Sequence, residues 1–230
     1  MESTDSGGRA AKDAVLDAAM MHVPFDGWSE TTFRAAITDS GVAPGLARAL
    51  FPRGAVDLAL AFHARGDAAM VERMRAADLD ALRYSERVAA AVRFRLEAVP
   101  DKEVVRRGTT LFALPIYAAE GARAIWGTAD AIWNTLGDSS RDLNWYTKRA
   151  TLSGVYASTV LFWLGDDSIG HQATWDFLDR RIADVMWIEK TKATFRDNPL
   201  GKVVLAGPMK FMDRVKAPKP RDDLPGRFRF

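Results

Sequence analysis

The sequence predicts an all-α protein. Three observations carry this: apolar residues recur at three- and four-residue spacing in almost every segment, no stretch sustains strand alternation, and turn residues separate the periodic runs. With 230 residues, 48% of them hydrophobic and 27% charged, the chain can fill one compact helical domain carrying a small N-terminal subdomain. The net charge is only +2, far from the basic excess of a protein that wraps nucleic acid, so any basic patch is local. There are no cysteines, which excludes structural disulfides and thiolate metal sites.

A first helix is expected from about Arg9 to His22, with Val15, Ala18, Ala19 and His22 on one face. A second starts near Ser29 or Thr31, both good N-caps, and places Phe33, Ala36 and Ile37 at i, i+3 and i+4. Gly41 supplies a turn, and Pro44 opens a third helix with Leu46, Ala49 and Leu50 repeating the spacing. Longer helices are predicted over Val56–Ala77, Ser85–Val99, Ala119–Leu136, Asn144–Leu164 and Gln172–Phe195. "VPDKE", "LGDSSRD" and "LGDDSIGH" fall between them as turns. The longest uncharged run, residues 150–165, is 16 residues long and contains Thr151, Ser153 and Gly154. A spanning helix needs about 20 apolar residues, so this run reads as a buried helix. "MESTDSGGRAAKD" at the N-terminus has no apolar signal core.

No nucleotide, zinc-protease or nucleophile-elbow motif occurs, and no cofactor is expected. His22, His63 and His171 are read as scattered, without a partner ligand at i+3 or i+4. Asp166-Asp167 reads as a capping or solvated pair, not an acid–base dyad. The expectation is a protein that is not an enzyme.

Residues 9–63 resemble the N-terminal part of TetR-type regulators: an opening helix, "TT" before helix 2, "GV" at the turn and "FP" before the connecting helix. Phe33, Ile37, Val42, Leu46 and Leu50 are expected to form the small core of this helix-turn-helix. Helix 3 then presents only Gly45, Ala47 and Arg48, with Arg53 following. A reading head must place hydrogen-bonding side chains on base edges and phosphates, and this face is nearly blank. Arg48 and Leu50 also replace the aromatic and the histidine usual in that family. A TetR-type regulator with a lipid effector is therefore the second reading.

The first reading rests on residues 129–168. Here the chain resembles the accessory proteins of ubiquinone (coenzyme Q) biosynthesis, a lipid-binding family with a TetR-like fold. The features are Leu114-Pro115, an "IW…GD" helix end, "DLNWYTKR" from Asp142 to Arg149, and "TWDFLDRRIADVM" with a basic amphipathic C-terminus. The likeness covers roughly residues 10–190. It implies a fold with a helix-turn-helix-like subdomain over 9–55, a helical lipid-binding domain over 56–198, an amphipathic membrane segment over 199–216 and a tail over 217–230. It implies a protein that binds isoprenoid quinone intermediates and presents them to a membrane-associated di-iron hydroxylase. A homodimer in the bacterial cytoplasm, peripheral on the inner membrane, is expected.

Candidate site residues follow. Phe112, Leu114, Ile116, Trp126, Ile132, Trp133, Tyr156, Phe162 and Trp163 are expected to line a closed apolar cavity for an isoprenoid or phospholipid tail. The resemblance implies a hydroxylase-docking patch with Trp145 and Tyr146 exposed, supported by Asp142 and Arg149. Leu200, Val203, Val204, Lys210, Phe211 and Arg214 are expected to meet an anionic membrane surface. From Leu200 to Arg221 six basic residues stand against Asp213, a net +5, and Gly207-Pro208 divides the segment into two short arms.

Overall fold

The computed structural model describes the backbone of residues 2–197 and the side chains of residues 7–186. Its helices are α1 (Glu2–Asp26), α2 (Glu30–Ser40), α3 (Pro44–Leu50), α4 (Ala55–Ala76), α5 (Tyr84–Glu97), α6 (Lys102–Ala113), α7 (Ala118–Thr135), α8 (Leu143–Leu164) and α9 (Gln172–Asp197). A 3-10 turn over Ile169–His171 precedes α9, and no strand occurs among the described residues. The all-α prediction holds.

Local chemistry sets the ends. Ser29 is the N-cap of α2, its Oγ accepting from the Thr32 amide at 3.1 Å. Gly41 ends that helix at φ +67°, a left-handed conformation that glycine adopts without strain. Asp101 and Asp142 cap α6 and α8 through the amides of Glu103 and Asn144 at 2.8 and 3.0 Å. Asp166 is buried in the α8–α9 turn, where it accepts from the amides of Ser168 and Thr174. That is a capping role.

α1 runs past the expected stop at His22 because Val15, Ala19 and Val23 continue one buried stripe at four-residue spacing. Helix α6 was not expected. Its middle is "VVRRGTT", rich in β-branched residues and glycine, which are poor helix formers. Thr109 and Thr110 donate their hydroxyls to the carbonyls of Val105 and Arg106, four residues back, a bond that satisfies the hydroxyl without strengthening the helix.

Two apolar cores result. The first joins α1, α2, α3 and the start of α4 around Val15, Val23, Phe33, Phe51 and Leu58, and takes in Val104 of α6. The second joins α4, α5, α7, α8 and α9 around Met70, Val92, Leu96, Ile132, Leu152 and Leu178. Fully burying one such side chain is worth about 1.5–3 kcal/mol. Helix α6 is the seam, with Val104 in the first core and Val105 packed on the second. Trp28 Nε1 donates to the Val104 carbonyl at 3.2 Å and fastens the seam to the α1–α2 connection.

One core expectation fails. Leu46 is 45% exposed, and Ala47 is the buried residue of α3. A helix of seven residues turns only one narrow stripe inward, and here that stripe places the small Ala47 in the first core.

Candidate functional site: an apolar cavity with a polar inner wall

A cavity of about 420 Å³ lies among α4, α5, α6, α7 and α8, within the range of roughly 300–1,000 Å³ usual for small-molecule sites. Small residues make the space: Ala59, Gly108, Ala118, Gly121, Ala124 and Ala157 all face it. Gly121 also lets α6 and α7 touch, since a Cβ there would stand 2.7 Å from the Phe112 Cβ. Trp28, Phe62, Phe112 and Val160 supply bulkier apolar wall. The space is open, contrary to the closed cavity expected from sequence: Leu161 lines it and is 60% exposed.

His63, Arg95 and Tyr156 give the cavity a polar inner wall. His63 Nε2 lies 3.1 Å from the Ala124 carbonyl and 2.8 Å from Thr128 Oγ1. A carbonyl only accepts, so the network assigns the proton to Nε2. The Thr128 hydroxyl passes a hydrogen bond on to Asp67 Oδ1 at 2.9 Å. Arg95 Nε donates to the same oxygen at 2.6 Å, and its Nη2 to the His63 carbonyl at 3.1 Å. Burial pushes the His63 pKa down, with Asp67 opposing and Arg95 reinforcing, so the imidazole is neutral at pH 7. Burial likewise pushes the Tyr156 phenol up, and it stays protonated.

Sequence reasoning missed this cluster. The signal was present, because Asp67 stands four residues after His63 on one face of α4, with their side chains 3.6 Å apart. The histidine does have an i+4 partner, contrary to the expectation.

Of the nine residues expected to line a cavity, Phe112 and Tyr156 do so. Ile132 and Trp163 are consumed by the second core. Trp133 lines a separate cavity of about 210 Å³ with Tyr84, Lys148 and Val185. Trp126 packs on Trp145, ring centroids 5.9 Å apart. Leu114, Ile116 and Phe162 are exposed, the first two on the α6–α7 connection and the third stacked on Phe177 at 4.5 Å. The correction has one cause: α7 and α8 turn small residues such as Gly121, Ala124 and Ala157 toward the space in place of their tryptophans, and α6 completes the wall.

The docking patch also changes character. Arg149 is 1% exposed and forks among Asp130 Oδ1 at 2.6 Å, Asn134 Oδ1 at 3.0 Å, Asp138 Oδ2 at 3.2 Å and the Trp145 carbonyl at 3.2 Å. It is an internal strut and not a contact residue, because a planar five-donor group suits a site where α7, its turn and α8 converge. Trp145 and Tyr146 are half-buried, not exposed, with rings 4.8 Å apart. The Arg149 guanidinium lies 4.0 Å over the Trp145 ring. Asp142 is exposed and caps α8. Burial pushes the Asp138 carboxyl up, but hydrogen bonds from Lys148, Ser140 and Arg149 outweigh it and hold its pKa at about 2.

The two long donors of α3 and the turn after it are engaged within the protein. Arg48 pairs with Glu30 and stands 4.6 Å over the Phe33 ring. Arg53 pairs with Asp57 at 2.8 Å and with Glu120 at 3.1 Å. Leu200, Val203, Val204, Lys210, Phe211 and Arg214, the expected membrane segment, lie outside the described residues.

An all-helical bundle with a helix-turn-helix at its N-terminal end and a cavity in its larger half defines a class, proteins built on the TetR frame. A TetR transcriptional regulator from Nitrosomonas europaea shares it, with a TM-score of 0.63 over 76% of this chain and 98% of that one, at 21% identity. A family model described as COQ9 matches residues 118–189. The ubiquinone biosynthesis protein COQ9-B of Xenopus laevis is 30% identical over 202 residues, 80% of this chain and 68% of the relative. COQ9 of Drosophila melanogaster is 31% identical over 185 residues, 78% of this chain and 56% of the relative. The chain belongs to the COQ9 family. It spans between about half and two thirds of the length of these relatives, 61% of the Dictyostelium discoideum protein for example. The relatives are named as mitochondrial, which points to the mitochondrion and overturns the expectation of a bacterial cytoplasmic location.

Proposed function

We propose that this chain is an accessory protein of ubiquinone biosynthesis that binds an isoprenoid lipid, a quinone intermediate, and presents it to a di-iron hydroxylase. It acts as a carrier, not a catalyst, and as a homodimer. The observation that carries the reading is the roughly 420 Å³ cavity, walled mostly by apolar side chains, in a member of the COQ9 family. Each buried methylene is worth about 0.8 kcal/mol, so a hydrocarbon chain in such a space binds with useful affinity. Tyr146 and Asp142, at the start of α8, remain the proposed contacts for the hydroxylase. The segment over 199–216, with its basic and apolar residues, is proposed to rest on an anionic membrane surface without crossing it.

A TetR-type regulator is disfavoured by the engagement of Arg48 and Arg53, which leaves the α3 face poor in free donors. Native mass spectrometry of the purified protein, with organic extraction of what it carries, tests the lipid reading. A retained isoprenoid or phospholipid supports it. Protein that is empty by both measurements and takes up no added lipid refutes it.

A further inference from the structure

The second cavity, of about 210 Å³, is bounded by α5, α7, α8 and α9 and shares no lining residue with the first. Val88, Leu152, Val155 and Ile182 are its buried floor, while Tyr84, Asn144 and Thr147 reach the surface at its mouth.

Its polar side is made of donors. Trp133 is 8% exposed, and its indole N–H is buried and finds no acceptor among the described residues. Native proteins seldom leave such a group unsatisfied. Lys148 stands on the same wall, its Nζ 5.5 Å from the centre of the Trp133 ring. Two of its ammonium protons go to Asp138 Oδ1 at 2.7 Å and Ser140 Oγ at 2.9 Å, and the third has no acceptor among the described residues. Indole and ammonium donate only, and no carboxylate is among the described lining residues. The charge of Lys148 is already matched by Asp138, so the wall suits a neutral acceptor better than an anion.

Size narrows the class further. A cavity of about 150 Å³ holds one benzene, so roughly 210 Å³ admits one ring with a short substituent. Tyr84 lies 5.7 Å from Trp133 with the rings tilted by 31°, and it is 44% exposed. An exposed ring of this kind turns aside rapidly and uncovers more of the indole.

We propose that this cavity is a second binding site, for a neutral single-ring carbonyl compound. Its oxygen accepts from Trp133 Nε1 and Lys148 Nζ, and its ring packs on Val88, Leu152 and Ile182. The site is independent of the lipid reading of the larger cavity, and neither stands or falls with the other.

Photolabelling of the full chain tests it with three probes of one shape: 4-azidoacetophenone, 4-azidobenzoate and 4-azidoethylbenzene. The labelled residues are located from fragment masses. The ketone is expected to mark Tyr84, Thr147 or Thr151. Its half-saturation is expected at a concentration roughly tenfold below that of the ethyl probe, the worth of one hydrogen bond to a buried donor. Trp133→Phe, which keeps a ring and removes the N–H, is expected to bring those two probes together. Label that misses these residues, or no label at all, overturns the site. Equal half-saturation of the ketone and the ethyl probe in the wild type overturns the role of the two donors. Tighter labelling by the benzoate overturns the neutral ligand. If Trp133→Phe does not fold, the wild-type series decides alone.

Discussion

Arg149 and Asp138 meet at 3.2 Å in the dry angle between α7 and α8, their side chains 1% and 2% exposed. The arginine closes "DLNWYTKR", a stretch that carried the family resemblance, and it is structural. Breaking a buried pair by removing one member leaves the other charge without compensation and costs about 3–5 kcal/mol. Arg149→Met is therefore expected to lose that much in urea unfolding. Arg149→Lys is expected to recover little, because an ammonium cannot fork to Asp130, Asn134 and Asp138 at once. A lysine variant as stable as the wild type would contradict the geometry.

The same pair sets an acid limit. The Asp138 carboxyl is held at about 2, below its ordinary 3.8, so its contribution is complete above about pH 4. It is lost as the pH falls through 3.8 towards 2. Thermal melts of the wild type should fall across that window. Asp138→Asn, less stable throughout, should show a flatter profile there. An identical acid slope in the two proteins would remove Asp138 from the account.

Trp145 is expected to matter for stability before it matters for docking. Its ring lies under the Arg149 guanidinium and against Trp126 and Tyr146. Trp145→Ala should cost on the order of 2 kcal/mol and lower the melting temperature. Docking of the hydroxylase is thus better tested by Tyr146→Ala, with loss of co-purification the expected outcome and a melting curve run beside it. Full retention of the hydroxylase would refute the patch.

Much of the fold was legible because it depends on short-range rules. Ser29, Gly41 and Pro44 announce their turns by their own chemistry, and the stripes of α4, α5, α7 and α8 repeat at helical period. Helix α6 was hidden because valine, threonine and glycine discount it locally, and its helicity is stabilised by burial of Val104 and by the seam it fills. The cavity was half legible for the same reason. Phe112 and Tyr156 were named, but which aromatics line a space and which fill a core depends on how helices far apart in sequence meet. Ile132 and Trp163 have the same periodicity as Tyr156 and lie in the core. At His63 the i+4 partner Asp67 was legible, but Thr128 and Arg95, which complete the cluster, come from other helices.

Gly66 marks a close approach that sequence could not suggest. A Cβ at that position would stand 2.5 Å from Arg95 Nη1. Arg95 is buried and pinned by Asp67, so it cannot swing aside. Gly66→Ala gains about 1 kcal/mol of helix propensity, yet overpacking costs about 1–3 kcal/mol. A net loss of stability in urea is expected. A more stable variant would show that Arg95 is free to move.

The helix-turn-helix is expected not to hold operator DNA. Specific binders reach roughly 10⁻⁸ M at physiological salt, and this chain brings a net charge of +2 with Arg48 and Arg53 already paired. Gel shifts against genomic fragments at nanomolar protein should show no retention. A footprint surviving physiological salt would restore the regulator reading.

Trp28 belongs to the first core, walls the cavity and adjoins Ser29, the residue that starts α2. An occupant that widens the cavity must therefore push on the indole from which the N-terminal helices hang. In a regulator, that arrangement is how a small molecule would be sensed at the reading head. If the cavity holds the proposed lipid, the same contact ties its filling to how firmly α2 is seated.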